Sequence, residues 1–196
     1  WYYFVIYAPE GCKYYSGRGG EGQMYDYPPD SYQLTVYDAS FVTPEWFRKG
    51  VAYQIFPDRF YRPGEILGLE RQKALGHELT VHQNWDDEPD YLPLPGRRHY
   101  SPTDFFGGNL WGVAEKLPYI ASLGVNCIYL NPIVLSDSNH RYNTADYMEV
   151  DPILGGDDAL AYLAKKAEEY GIKLMLDGVF SHTGDDSVYF DKYSKF

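Results

Sequence analysis

An α/β fold built on a parallel sheet is what this sequence predicts, and three observations predict it. The stretch Gly171 to Gly184, GIKLMLDGVFSHTG, carries an apolar run (Ile172, Leu174, Met175, Leu176) that ends in Asp177 and then His182. A run apolar at nearly every position suits a parallel strand covered on both faces, and polar residues where the strand gives out are the mark of a barrel enzyme. Strand-like and helix-like segments alternate from Gly50 onward, a pattern that calls for crossovers and parallel strands. Residues 1 to 40 have a different texture, aromatic and β-branched with alternation, which reads as the strands of a separate β-domain. Taken alone, GIKLMLDGVFSHTG would also fit an ordinary interior strand with a capping Asp.

The elements follow in chain order. WYYFVIYAP, a Gly-rich turn region through Gly22, and SYQLTVYD read as the closing strands of a β-domain. Two or three strands cannot bury a face unaided, so the expectation is that the chain starts partway into that domain. DASFVTPEWFRKG reads as a connector in which Thr43 caps, and Pro44 opens, a short helix. VAYQIFP at 51 to 57 is a short buried strand. About fifty residues then pass before the next periodic segment, far more than a typical βα connection. They contain Trp85, Tyr91, His77, His82 and His99, and the mix suits a folded, substrate-facing excursion. The three histidines lack a metal-ligand spacing and are expected to be surface or hydrogen-bonding groups. From Leu110 the positions Val113, Leu117, Ile120 and Ala121 fall at helical spacing, with Pro118 expected to kink or restart the helix and Gly124 to stop it. Val125 to Leu130 is the second strand, and a polar loop bearing SNHRYNTADY follows. The helix Asp157 to Tyr170 buries Leu160, Leu163, Ala164 and Ala167 and stops at Gly171.

Composition bounds the function. Among 196 residues, 17 Lys and Arg stand against 28 Asp and Glu, a net charge of −11 that argues against nucleic acid or an anionic membrane as a partner. With 44% apolar residues the chain has ample material for a core. Its 21 Tyr suit stacking against sugar rings, although strands and cores are the commoner cause of such an excess. Cys12 and Cys127 suggest no disulfide framework, and no segment has transmembrane length.

The blocks VAYQIFPDRF, DFFGGNLWGVAEKLPYIASLGVNCIYLNPI, SNHRYNTADYMEVDPILGG and LDGVFSHTG, in that order, closely resemble the first three βα units of the alpha-amylase superfamily of glycoside hydrolases. Within it the pattern is most similar to the neopullulanase, cyclomaltodextrinase and amylopullulanase group. The resemblance implies that residues 1 to 40 are the last strands of an N-terminal β-sandwich of carbohydrate-binding type. It likewise implies that 41 to 196 are the N-terminal portion of a (β/α)8 barrel that continues beyond this chain. It implies retaining cleavage of α-glucosidic bonds in pullulan, cyclodextrins or starch oligosaccharides, by two carboxyls about 5 Å apart. The family's nucleophile, its acid and its third carboxylate follow later strands, so none is expected here, and this stretch alone is expected to be inactive and poorly folded.

What the resemblance does place in this chain is a set of sugar-binding residues. Asp177 orients neighbouring groups, His182 bonds the sugar at the cleavage position, Tyr142 stacks beneath that sugar, and His140 is its companion in the pocket. Asp146 is read as serving its own backbone. No cofactor is expected. Many relatives bind calcium, but its usual ligands are largely replaced here: Ser181 and Asn109 stand where relatives carry Asn and Asp, and Tyr61, Arg62 and Pro63 stand where they carry an Asn/Asp-rich stretch. Asn143 stands where many have Asp. The expected partner is an α-glucan, and the full-length enzyme is expected to form a homodimer. A glucanotransferase of the same fold and a noncatalytic sugar-binding relative are the alternatives.

Overall fold

Thr43 and Pro44 mark the division of the chain into two units, Trp1–Thr43 and Pro44–Phe196. The computed structural model describes residues 1–17, 20–93, 95–96, 98–192 and 194; Arg18 and Gly19 of the Gly-rich turn lie outside the described residues.

In the first unit, β1 (Phe4–Ala8), β2 (Gly11–Ser16) and β3 (Gln23–Tyr25) form an antiparallel meander in which Phe4 faces Tyr15 and Tyr14 faces Tyr25. Gly22 lets two rings close over the turn, because a Cβ there would lie 2.0 Å from the Tyr32 hydroxyl and 2.6 Å from the Tyr15 ring and would displace them. SYQLTVYD, expected as a strand, contributes only a bridge between Tyr32 and Tyr2, with N···O distances of 2.9 and 2.7 Å. Past Tyr32 no described strand lies alongside, and Leu34, Val36 and Tyr37 are exposed. Alternation supplies a strand's pattern, but only a partner edge supplies its hydrogen bonds.

The second unit starts with α1 (Glu45–Arg48), whose N-cap position is held by Pro44 and not by the expected Thr43, without a side-chain cap. The strand expected over 51 to 57 is shorter, β4 (Ala52–Ile55), because Pro57 cannot donate to a ladder and opens a 3-10 turn, Pro57–Arg59. The long excursion is folded, as expected, and contains elements too short to show periodicity: α2 (Leu69–Ala74) and the parallel pair β5 (Thr80–Val81) and β6 (Asp104–Phe105). Next come α3 (Leu110–Glu115) and α4 (Leu117–Ser122), a single periodic stretch interrupted at Lys116 as Pro118 requires. β7 (Cys127–Leu130) follows.

The polar loop expected after β7 is instead an antiparallel hairpin, β8 (Val134–Ser136) and β9 (Thr144–Val150). The helix α5 (Gly156–Glu169) buries Ala159, Leu163 and Ala167 at i, i+4 and i+8, whereas Ala164 of the expected stripe is exposed and Leu160 only half-buried, the stripe being turned toward Ala159. Gly171 ends it at φ +68°, a backbone region nearly closed to side-chain-bearing residues, and the chain enters β10 (Lys173–Leu176).

β4, β7 and β10 form a parallel sheet in the order β10-β7-β4. Ala52 and Lys173 both pair with Cys127, and Ile55 and Leu176 both pair with Leu130, so the three strands end level. Ile55, Ile128 and Leu130 pack into the core with Leu110, Val113, Leu117, Ile120 and Leu163. Each such fully buried side chain stabilises the fold by about 1.5–3 kcal/mol. Gln54, Tyr129 and Met175, aligned across the sheet, line an open pocket of about 410 Å³ with Phe47 and Ala52.

Candidate functional site

Level strand ends bring Asp177, one residue past β10, beside Tyr129 of β7. The Tyr129 hydroxyl donates to Asp177 Oδ2 at 2.6 Å, and the Tyr142 hydroxyl, arriving from the β8–β9 turn, donates to the same oxygen at 3.0 Å. The Asp177 hydrogen bond, with burial added, pushes the Tyr129 phenol up to about 12, so it remains a donor at neutral pH. Burial first, and then the Asp177 bond, raises Tyr142 as well. Asp177 thus has one oxygen saturated by two phenols, while among the described residues no hydrogen bond reaches the side-chain oxygen Oδ1.

His140 joins this cluster through Tyr142. The Tyr142 amide donates to His140 Nδ1 at 3.0 Å, and the two rings lie 5.8 Å apart, tilted by 35°. An accepting Nδ1 leaves the proton of the neutral ring on Nε2, free to donate to a ligand. Burial lowers the pKa of His140 and the Arg141 charge lowers it further, against an opposing effect of Asp137, and this favours that neutral form.

Between these two residues sits Arg141, fully buried and held at φ +60°. Its Nε donates to Asp151 Oδ2 at 2.7 Å and its Nη1 to the Asn139 carbonyl at 2.7 Å. Asp151 in turn accepts from Gln72 Nε2 and the Ile153 amide, both at 2.9 Å. The left-handed turn at Arg141 therefore drives the guanidinium inward and leaves His140 and Tyr142 on its flanks. Asn143 completes the turn: its amide oxygen accepts from Ser136 and Ser138, and its nitrogen donates to Asp137. Burial raises the Asp137 pKa and the nearby Asp186 charge adds to this, so a carboxylate at position 143 would meet an already unfavourable one.

His182, expected in the same cluster, stands apart. It is exposed, its Nδ1 lies 3.0 Å from Ser181 Oγ, and among the described residues no hydrogen bond joins its ring to Asp177, Tyr142 or His140. Its backbone is held by Tyr147, whose hydroxyl contacts the Val179 carbonyl and the His182 carbonyl, the latter at 2.9 Å. Asp146 Oδ1 accepts from the Met148 amide at 2.8 Å, the local backbone service expected of it, and from the Tyr189 hydroxyl at 2.9 Å.

Of the histidines in the excursion only His99 is exposed. His77 and His82 are not surface groups. His77 spans Gln72 Oε1 at 2.5 Å and Asp186 Oδ2 at 3.0 Å, while His82 stacks on Phe106 at 4.2 Å, with Nε2 3.4 Å from Asp104. Asp104 clasps the excursion to the hairpin turn, accepting from Arg59 at 2.9 Å, Tyr100 at 2.7 Å and Asn139 at 2.8 Å.

The replaced calcium positions have other employment. Arg62 donates to the carbonyls of His82 and Phe106 at 3.0 Å and of Gln83 at 2.7 Å, Asn109 caps α3 through the Gly112 amide at 2.9 Å, and Ser181 serves His182. A guanidinium already fills the cationic role among these carbonyls, and the residues do not fit calcium there. Among the described residues no group of three or more His, Cys, Asp or Glu is placed to hold a metal ion.

Tyr129, Arg141 and Tyr147 are the residues that sequence reasoning missed. Only the alternation of faces along a strand could have flagged Tyr129, and nothing local marked the other two.

The model of the alpha amylase catalytic domain family matches residues 54–196. An amylopullulanase of Thermoanaerobacter thermohydrosulfuricus is 41% identical over 100% of this chain and 14% of its own length. A cyclomaltodextrinase of Geobacillus thermopakistaniensis is 40% identical over 92% of this chain and 26% of its own length. Among solved structures, the type III pullulan hydrolase of Thermococcus kodakarensis matches with a TM-score of 0.64 at 30% identity, covering 94% of this chain and 33% of that one. The chain thus spans a minor part of the length of each.

Proposed function

This chain belongs to the alpha-amylase catalytic domain family, and from that premise we propose that it supplies the sugar-holding wall of a retaining α-glucan hydrolase. The observation that carries the reading is the hydrogen-bonded sequence His140, Tyr142, Asp177 at the level ends of β7 and β10. In this reading β4, β7 and β10 are the first three strands of a (β/α)8 barrel, and residues 1 to 40 are the last strands of an N-terminal β-sandwich. Cyclodextrins and pullulan are the substrates proposed first, because relatives bear the names cyclomaltodextrinase and pullulan hydrolase.

Each residue has a task that its geometry suits. The Tyr142 ring stacks against the C–H face of a pyranose and excludes water there. His140 Nε2 donates to a sugar hydroxyl without carrying a full charge, and His182 offers a second hydrogen bond from the loop after β10. Asp177, with Oδ2 engaged by two phenols, is an orienting acceptor and not a nucleophile. Bond cleavage belongs to two further carboxyls about 5 Å apart, one attacking the anomeric carbon and one protonating the leaving oxygen. A glucanotransferase shares that covalent intermediate, and product analysis separates the two.

The test is to incubate the full-length protein with cyclodextrin and with pullulan and to follow the first product by proton NMR. Hydrolysis with first release of the α-anomer is expected. Absence of cleavage, or release of the β-anomer, would overturn the reading.

A further inference from the structure

Tyr129 lies at the centre of β7 with Ile128 and Leu130 packed into the core on either side of it. Side chains alternate along a strand, so its ring stands on the other face of the sheet, between Gln54 and Met175. Its register partner on β10 is Met175, and Asp177 is the next residue of that neighbouring chain to project from the same face. The phenol reaches diagonally to Asp177 and donates at 2.6 Å, shorter than the 3.0 Å bond from Tyr142 to the same oxygen. A carboxylate oxygen offers two lone pairs, so the two phenols occupy Oδ2 between them and leave Oδ1 as the outward acceptor.

We propose that Tyr129 is a positioning residue of this site, acting through Asp177 to fix the carboxylate and, with it, the ring that Tyr142 presents to sugar. The inference rests on the proposed function. Tyr129 is anchored in the central strand of the sheet, whereas Tyr142 is exposed at the tip of a turn, so the fixed end of the linkage is Tyr129 and the working end is Tyr142. Asp177 transmits between them, because its rotamer cannot change without breaking both bonds. The raised pKa of Tyr129 supports the same picture, since a phenolate beside Asp177 would break the pairing and the phenol is kept in its donating form.

The experiment uses the full-length protein with Tyr129→Phe, Tyr142→Phe and the double variant, assayed on a linear maltooligosaccharide. Tyr129→Phe removes one hydroxyl and leaves the ring packing in place. The expected result is a fall in kcat of about 10- to 100-fold, KM within about threefold and an unchanged melting temperature, with the double variant falling no further than about the worse single one. Kinetics within twofold of the parent, a loss carried by KM alone, or losses that multiply in the double variant would each overturn the proposal.

A second measurement is independent of activity. In protein carrying 13Cζ-labelled tyrosine, the Tyr129 resonance, assigned by its absence in Tyr129→Phe, is expected to titrate near 12 and to move toward the ordinary tyrosine value, about 10, in Asp177→Asn. An unmoved midpoint would mean that the two groups are not coupled, and would overturn the proposal whatever Tyr129→Phe does to kcat. If the parent cleaves no α-glucan at all, it is the proposed function that fails, and the resonance still decides whether Tyr129 and Asp177 are coupled.

Discussion

The β8–β9 turn and the loop from Gly178 to Gly184 carry the two halves of the candidate sugar wall, and they are held in opposite ways. The turn that bears His140 and Tyr142 is built around a buried ion pair, Arg141 with Asp151, and a closed set of hydrogen bonds among Ser136, Ser138 and Asn143. The loop that bears His182 has Phe180 at 82% exposure and is joined to β9 by the Tyr147 hydroxyl and, at its end, by the Gly184 amide, which donates to the Thr144 carbonyl at 2.9 Å. One half is preorganised by the fold. The other hangs on these few contacts, and so should give way at little cost to the rest of the molecule.

The largest expected effect lies in the turn. Arg141→Met leaves Asp151 buried without its cation, a change that costs about 3–5 kcal/mol. Urea unfolding of the full-length protein measures this, and a loss under about 1 kcal/mol would mean that the ion pair does not hold the turn. The next effect lies in the loop and appears in kinetics instead. His182→Ala is expected to lower kcat/KM by about 10- to 1000-fold, or about 1.4–4 kcal/mol, with the melting temperature moved by less than about 2 °C. Unaltered kinetics would make His182 a bystander and remove one half of the contrast.

Asn143→Asp tests the turn by charge. Burial already raises Asp137, and a second carboxylate beside it raises the pair further. An acid whose folded pKa is raised contributes most below its unfolded value and loses that contribution as pH rises through its folded value. The destabilisation should therefore be small in acid and reach about 1–3 kcal/mol at neutral pH, read as paired denaturant midpoints at the two pH values. A penalty independent of pH would point to lost shape instead of charge. The smallest effect expected is that of Tyr147→Phe, about 1 kcal/mol in kcat/KM with little change in stability, because only the tether of the His182 backbone is removed. A large stability loss there would show the loop to be as firmly built as the turn.

Much of the frame was legible because burial leaves a periodic trace. β7, β10 and α5 were readable from apolar runs and from i, i+4 spacing, and the interruption of α3 and α4 at Lys116 was readable from Pro118. The β8–β9 hairpin was not, because β8 has only three residues, its pairing with β9 shifts register twice, and its turn is held by polar side chains instead of an apolar face. Arg141 sits in a polar segment where an arginine reads as solvated, and only the fold reveals that it is fully buried. Tyr129 was hidden for the converse reason, since within CIYL it reads as one more residue of a core strand, and its hydroxyl matters only once Asp177 lies beside it. SYQLTVYD shows the limit of alternation as evidence, having the pattern of a strand without a described neighbour to pair with.

An ion taken up from solution holds a loop only as firmly as its supply allows, because the stabilisation it lends grows with the logarithm of its concentration. The charge on Arg62 comes with the polypeptide, one to each molecule at any dilution, and reaches the carbonyls of His82, Gln83 and Phe106 without being captured first. A chelator therefore cannot strip this clasp from the carbonyls it holds.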